Sequence, residues 1–164
     1  MEKLDLSKLN SPEDIPIGTI LVQHWCNSAT FYKIIGTTNK SVLMVKMPSK
    51  QTRFEQEGGF TGYSYKLPDE DGYKKIEKAA KEFTEKYDVD PAHITNEVWE
   101  KLKNNEQFKK DWCNISSYTS YLEPIRKIVK PAKNGGFYIP GVHTGSWCGP
   151  MRLWDGEEVA EYYE

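Results

Sequence analysis

Near the start of the sequence, short runs of apolar and β-branched residues separated by polar turns are typical of β-strands. In the segment GTILVQHWC, one side of the extended chain would carry Ile20, Val22, His24 and Cys26. TFYKIIG and SVLMVKMP follow after short turn-forming stretches, and KQTRFEQEGGF adds a fourth strand that ends at a Gly-Gly pair. Short β-rich runs separated by turns predict an antiparallel meander.

Between residues 67 and 112 the pattern changes to a helical period. One helical face would carry residues spaced by four, three and four positions, namely Ile76, Ala80, Phe83 and Tyr87. Asp90-Pro91 offers a cap followed by a proline at a first helical position. Thr95 can cap a further helix, and Phe108 and Trp112 are again four residues apart. We therefore predict a block of two or three short helices.

The pattern then returns to strands. IRKIVKP alternates charged and apolar residues, and GFYIPG is its predicted partner across the turn KNGG, where Asn134-Gly135 suits a type I′ hairpin. Asp155-Gly156 predicts a second turn of this kind. The strands on either side of the helices are too few to close a core alone, whereas five to seven together can form a small barrel.

These observations predict an α+β fold, with a small antiparallel β-barrel interrupted by a helical insertion. The boundaries expected from the pattern are a single domain over residues 1–164, with the barrel in 14–66 and 116–164 and the insertion in 67–115. A chain of 164 residues can bury a substantial core without metal or disulfide support.

Charge and cysteine content limit the function classes. The formal net charge of −2 gives no general attraction to nucleic acid or to anionic membranes. The three cysteines, Cys26, Cys113 and Cys148, are odd in number, and the sequence has no signal peptide or long apolar run. We therefore expect a reduced, soluble, intracellular protein with no membrane partner.

Short motifs in both strand regions resemble a group of small uncharacterised phage-encoded proteins. The matching features are the GTI-hydrophobic opening at residues 18–21, Trp25, Phe31-Tyr32, and the Trp-Asp-Gly sequence at residues 154–156 near the C-terminus. The resemblance covers about 85 residues and omits the helical block. It implies an SH3-like β-barrel with a C-terminal Trp-Asp-Gly hairpin and a phage origin. It carries over no catalytic residue.

The histidines and cysteines could in principle support metal binding or thiol catalysis. His24, Cys26, His143 and Cys148 could form a Cys2His2 zinc set, but the C-x2-C knuckle typical of structural zinc sites is missing. Cys148 has His143 nearby in sequence, yet no helix N-terminus follows to lower the pKa of its thiol. We therefore expect no metal, no cofactor and no enzymatic activity.

Nucleic-acid binding was considered for a basic stretch beside aromatic residues, namely Arg126, Lys127, Lys130 and Lys133 with Tyr121, Phe137 and Tyr138. Bases stack on aromatic rings while Lys and Arg contact phosphates. On an alternating strand, however, these cations are more simply explained as a solvent face that protects the sheet from mispairing. Nucleic acid is therefore the less favoured partner.

A small-ligand pocket is the more specific hypothesis. Aromatic rings and a few cationic groups suit a nucleotide-like ligand, because rings stack on the base and cations meet phosphate. The predicted ligand-binding residues are Trp25, Tyr32, His143, Trp147, Arg152 and Trp154. Glycines among them would allow the backbone to approach a ligand closely.

From the residues and the resemblance together, we expect a phage-encoded, non-enzymatic binding protein in the cytoplasm of the infected bacterium. The leading hypothesis is that it sequesters a host immune nucleotide signal. One alternative is a protein–protein inhibitor of a host defence enzyme that uses the helical block as its contact surface. Another is a small nucleic-acid-binding module.

Overall fold

A computed structural model describes residues 4–163 and shows a mixed α+β fold. The strands before the helices are β1 (Ile20–Trp25), β2 (Ser28–Thr37), β3 (Ser41–Met47), β4 (Ser49–Gly58) and β5 (Thr61–Pro68). The helices are α1 (Glu70–Tyr87), α2 (Asn96–Leu102) and α3 (Glu106–Ile115). The later strands are β6 (Ile125–Ile128), β7 (Lys130–Pro131), β8 (Phe137–Tyr138), β9 (Arg152–Leu153) and β10 (Val159–Tyr163).

The ten strands form three antiparallel sheets. A five-stranded sheet has the order β6-β3-β2-β1-β9, a three-stranded sheet has the order β10-β5-β4, and β7 pairs with β8. Within residues 4–163, the strand pairing does not close into a barrel. The antiparallel α+β fold is therefore confirmed, while the SH3-like barrel stays a prediction.

The chain divides into two compact units. The first, here called the β unit, combines the residues up to Asp69 with those from Pro124 onward, and the second, the helical unit, is Glu70–Glu123. Each unit has a hydrophobic cluster made of its own residues. The helical unit therefore has a hydrophobic centre formed by its own side chains.

The core of the β unit forms around β1 and β2. Leu21, Tyr32 and Ile34 are almost fully buried there, together with Met44 of β3 and Ile139. The first four residues of β1 are all buried, on both faces of the strand. A strand covered on both faces has a nearly continuous apolar sequence, which explains the ILV run.

In the helical unit, the predicted apolar face is confirmed. Phe83 of α1 packs with Ala80 and Tyr87 against Phe108 of α3, and the Thr95 side chain caps α2 by accepting from the Val98 N–H. The helix predicted to begin at Asp90-Pro91 was wrong. The Asp90 carboxylate instead accepts from the Ala92 N–H at 2.9 Å, which forms a turn between α1 and α2.

Two turn predictions had different outcomes. The KNGG segment joins β7 to β8 as a hairpin, but the predicted type I′ turn at Asn134-Gly135 was wrong, because the positive φ angles fall on Gly135 and Gly136. Gly136 is required there because a Cβ would lie 2.6 Å from the Leu6 carbonyl oxygen. The first part of the predicted strand, β6, pairs with β3 and not with β8. The hairpin predicted at Asp155-Gly156 was wrong. β9 pairs with β1 and β10 pairs with β5, so this turn carries the chain between two sheets.

The β5 strand was missed by the sequence analysis, which placed residues 67–68 in the helical block. Its sequence, TGYSYKLP, has few apolar residues. It is the central strand of its sheet, because it pairs with β4 on one side and with β10 on the other. The local sequence could not indicate the second pairing, since β10 is distant in sequence.

None of the helices in residues 4–163 combines the length and the apolar character that crossing a membrane requires.

We expect the β unit to fold without the helical unit. Replacing residues 70–123 by a short linker should leave a cooperatively unfolding β protein, because the two hydrophobic clusters share no residues. Circular dichroism and thermal melting of the trimmed protein test this. Loss of a cooperative transition would show that the two units depend on a shared core.

Candidate functional site

Alternation along β1 separates the predicted site residues onto opposite faces of the five-stranded sheet. Gln23 and Trp25 share one face, and His24 points to the other. Arg152 lies opposite Val22 in the β1–β9 ladder, so it shares the face of His24. The predicted cluster therefore becomes two groups, one around Trp25 and one around Arg152.

The side chain of Gln23 is fully buried and holds the segment between β8 and β9, here called the 141–150 loop. Its amide nitrogen donates to the carbonyl oxygens of His143 and Gly149, both at 2.8 Å. Its amide oxygen accepts from the His143 backbone N–H at 3.0 Å. These bonds use both N–H groups and one lone pair of the carboxamide, so the buried amide is well satisfied.

The close approach of the loop to Gln23 explains one of its glycines. A Cβ atom at Gly141 would overlap the amide nitrogen of Gln23 and lie 2.8 Å from its Cδ. Any larger residue would therefore displace the amide from the carbonyls that it binds.

The later part of the loop is bonded to the end of β1. The Gly149 N–H donates to the His24 carbonyl, and the Cys26 N–H donates to the Trp147 carbonyl.

The first group of predicted site residues centres on a stacked pair. The Trp25 and His143 rings lie 4.1 Å apart with an angle of 18° between their planes, and the Trp25 indole N–H donates to the Thr30 hydroxyl at 2.8 Å. Trp147, held through its backbone at Cys26, exposes 81% of its surface. Trp25 and His143 are thus brought together as predicted, with the backbone of Trp147 nearby.

Two predicted ligand residues have packing roles instead. Tyr32 is only 1% exposed within the core, and burial raises the pKa of its hydroxyl to about 12. Its ring therefore presents no face to a ligand. Trp154 donates its indole N–H to the Glu157 carbonyl at 2.8 Å and meets Phe31 edge-on at 6.1 Å, so it fixes the turn before β10.

The second group joins Arg152 to a half-buried histidine. An Arg152 guanidinium nitrogen lies 2.6 Å from Nε2 of His24, which accepts the bond when the imidazole is neutral. Burial lowers the pKa of His24, and the positive charges of Arg152 and Lys66 lower it further, while Glu161 opposes them. The neutral ring is thereby favoured, and it holds the guanidinium in one place.

An ion pair next to this group connects two sheets of the β unit. Lys66 of β5 and Glu161 of β10 lie 3.1 Å apart and are mostly buried. Glu161 also accepts from the Ala29 N–H at 2.9 Å, and Lys66 donates to the Ala29 carbonyl. Since both charges have partners, they fix the three-stranded sheet against β2. The sequence analysis did not predict this pair, because β5 was missed.

A groove of about 660 Å³ runs beside β9 in the β unit. Its apolar lining includes Leu6, Phe137 and Met151, and its polar lining includes Lys8, Tyr138 and Arg152. Arg152 was predicted as a ligand contact. Lys8 was not, because nothing in its local sequence indicates that the N-terminal segment returns to β9.

The groups considered for other chemistry are dispersed. Cys26 lies after the end of β1 with a φ of +51°, so the interpretation that it shares a strand face with His24 was wrong. In the part of the chain that the structure describes, no three His, Cys, Asp or Glu side chains come together to hold a metal ion. Among the proposed nucleic-acid contacts, Phe137 is buried and Arg126 donates to the Ser41 hydroxyl.

Comparisons with known proteins add no relative. No protein-family model, no curated protein and no solved structure matches this chain. The arguments about its function therefore depend on its own residues.

We expect Gln23→Met to destabilise the β unit. The substitution roughly keeps the volume but leaves the His143 N–H and two carbonyls without partners, and each buried group left unpaired costs about 1–3 kcal/mol. The free energy of unfolding from urea titration should fall by about 2–4 kcal/mol. Gln107→Met, at an exposed position of α3, is the control. Equal stability of the two variants would contradict the role of Gln23.

We expect His24 to make stability depend on pH. Its pKa is lowered in the folded protein, so the unfolded chain gains a proton first as the pH falls through about 6.5. Stability should therefore decline between about pH 7.5 and pH 5.5.

In His24→Gln, which has no titrating ring, the decline should be smaller than in the unsubstituted protein. His93→Gln removes an exposed histidine of the helical unit and is the control. Urea titrations at both pH values measure the difference. An undiminished decline in His24→Gln would contradict the assignment.

Proposed function

We propose that the protein is a non-enzymatic binding protein that holds a nucleotide-like anion in the groove beside β9. The observation that carries this proposal is the position of Arg152, whose guanidinium lies at an apolar groove and is held by His24. A groove with apolar walls and a few placed polar groups is typical of small-ligand sites.

The charges of the groove favour a phosphorylated ligand. Arg152 and Lys8 both line it, and guanidinium groups bind phosphate with charge-assisted hydrogen bonds. The lining also contains Asp5, whose hydrogen bonds from Ser7 lower its pKa and whose negative charge interacts with Lys8. Arg152 is therefore the cation that we expect to contribute most to binding an anion.

The aromatic part of the groove favours a base. Tyr138 of β8 lines the groove and is 39% exposed, so part of its ring is accessible. Stacking of one base on an aromatic ring contributes about 1–3 kcal/mol. Phe137 and Met151, both buried, form an apolar floor beneath it.

In biological terms, the proposal is that the protein sequesters a host immune nucleotide in an infected bacterium. Its support is the resemblance of residues 18–21, Trp25, Phe31-Tyr32 and residues 154–156 to phage-encoded proteins, together with the cationic groove. The SH3-like barrel belongs to the same proposal, with the five-stranded and three-stranded sheets as its walls.

Calorimetry against a panel of cyclic and linear nucleotides tests the proposal. We expect micromolar or tighter binding, and we expect Arg152→Ala to weaken it about ten- to a hundredfold, because a charge-assisted contact contributes about 1.5–3 kcal/mol. The matched control is Arg126→Ala, since Arg126 lies in β6 at the other edge of the same sheet.

Tyr138→Ala should also weaken binding, by the loss of stacking, while leaving the unfolding temperature nearly unchanged. Absence of binding to every nucleotide at micromolar concentrations would contradict the proposal. If Arg152→Ala and Arg126→Ala weakened nucleotide binding equally, the ligand would not bind in the groove beside β9. A host protein captured only when the helical unit is present would favour the inhibitor alternative.

A further inference from the structure

Strand β4 is an edge strand with no covering element. It lies at the outer edge of the three-stranded sheet, and all ten of its residues are exposed. Among the described residues, only β5 pairs with its backbone. Phe54, at the middle of the strand, is 48% exposed. An edge of this kind presents unpaired N–H and C=O groups to a further strand.

The charges of β4 change sign along the strand. Lys50 and Arg53 lie in its first half, and Glu55 and Glu57 lie in its second half. When two copies of one strand pair antiparallel around a two-fold axis, one residue lies opposite itself and its neighbours lie opposite each other. A basic half then faces an acidic half, so the strand is complementary to itself.

These charges favour an axis at Phe54, because opposite charges face each other there and no like charges do. With the axis at Phe54, Arg53 of each copy lies opposite Glu55 of the other, and no like charges face each other. With the axis at Arg53 or at Glu55, two like charges would lie directly opposite, which destabilises a strand pair. The Phe54 register also brings two half-exposed rings together at the axis.

The backbone of β4 is regular where this register needs it. Its pairing with β5 shifts between Gln51 and Arg53 and again between Gln56 and Gly58, which leaves residues 53–56 as the regular part. Irregularities at both ends twist an edge strand and limit the length that can pair. The contact is therefore short, and we expect it to give weak, concentration-dependent association, as small interfaces do.

The charged side chains at the axis are already held near the edge. Arg53 contacts Glu55 and Glu158 of its own chain and lies 3.6 Å above the centre of the Tyr65 ring. The Tyr65 hydroxyl donates to Glu55 at 3.1 Å. Both charges are about half exposed, so a second copy can reach them while these contacts fix their positions.

We propose that two copies of this chain associate through β4, antiparallel and centred on Phe54, to form a continuous six-stranded sheet. This inference is independent of the ligand groove, which is formed by β8, β9 and the N-terminal segment.

Sedimentation velocity over a wide concentration range tests the dimer by charge reversal. The unsubstituted protein should shift from monomer to dimer as its concentration rises. Glu55→Arg should remain monomeric, because it places Arg53 opposite another cation. The double variant Arg53→Glu with Glu55→Arg restores opposite charges across the axis, so it should dimerise again. It is made together with Glu158→Gln, because Glu158 is the intrachain partner of Arg53, and Glu158→Gln alone is its control. Glu85→Arg, which makes the same charge change on an exposed position of α1, should behave as the unsubstituted protein.

A monomer at every concentration would overturn the proposal, as would a dimer that Glu55→Arg leaves unchanged. Failure of the double variant to recover dimerisation would overturn the register. Thermal melting of each variant confirms that it is folded.

Crosslinking tests the axis itself. In a background with Cys26, Cys113 and Cys148 replaced by serine, Phe54→Cys should form an interchain disulfide under mild oxidation, since residues directly opposite have Cβ atoms about 4.5–5.5 Å apart. Thr52→Cys should not form one, because its counterpart lies several residues away along the strand. Crosslinking of Thr52→Cys in preference to Phe54→Cys would overturn the proposed register.

Discussion

The buried carboxamide of Gln23 is the interaction on which the functional part of the β unit depends. It binds the backbone of the 141–150 loop at His143 and Gly149. A loop with this many glycines has many accessible backbone conformations, and few apolar contacts would select one of them. Hydrogen bonds in a buried, low-dielectric position help to select one, because a loop conformation that leaves these groups unpaired costs about 1–3 kcal/mol for each group.

The consequences extend from the loop to both groups of candidate residues. At its start, the loop places His143 against the Trp25 ring. At its end, the Gly149 N–H bonds to β1 and the chain continues into β9, which puts Arg152 beside His24. The buried amide thus fixes the loop, the loop sets the register of the edge strand β9, and β9 places the guanidinium at the groove. Each step positions the next.

The sequence predicted the elements better than their partners. The β-rich run in GTILVQHWC and the helical period of Ile76, Ala80, Phe83 and Tyr87 were sufficient to predict β1 and α1, because these local patterns reflect which residues are buried. The turn at Asp155-Gly156 has the local chemistry of a hairpin, yet its flanking strands pair with β1 and β5. Local preference cannot choose between partners that are distant in sequence.

The candidate site shows the same limit. The sequence analysis grouped Tyr32, Trp154 and Arg152 because aromatic rings and a cation suit a nucleotide. In the structure, Tyr32 is a core residue, Trp154 is a turn residue and Arg152 lines the groove. Lys8 and Tyr138 join Arg152 only through the tertiary fold. Gln23 had a detectable signature, since it is a polar residue within an apolar run, and such residues are buried only where their hydrogen bonds are satisfied.

Amide hydrogen exchange of His143 is the most direct measurement of the central claim. Its backbone N–H donates to the buried oxygen of Gln23, so exchange should require the loop to separate from β1. We predict that this proton is protected nearly as well as the core amides of β1 and β2, while amides of the same loop without such a bond exchange quickly. Exchange of the His143 amide at the rate of an exposed loop would contradict the account.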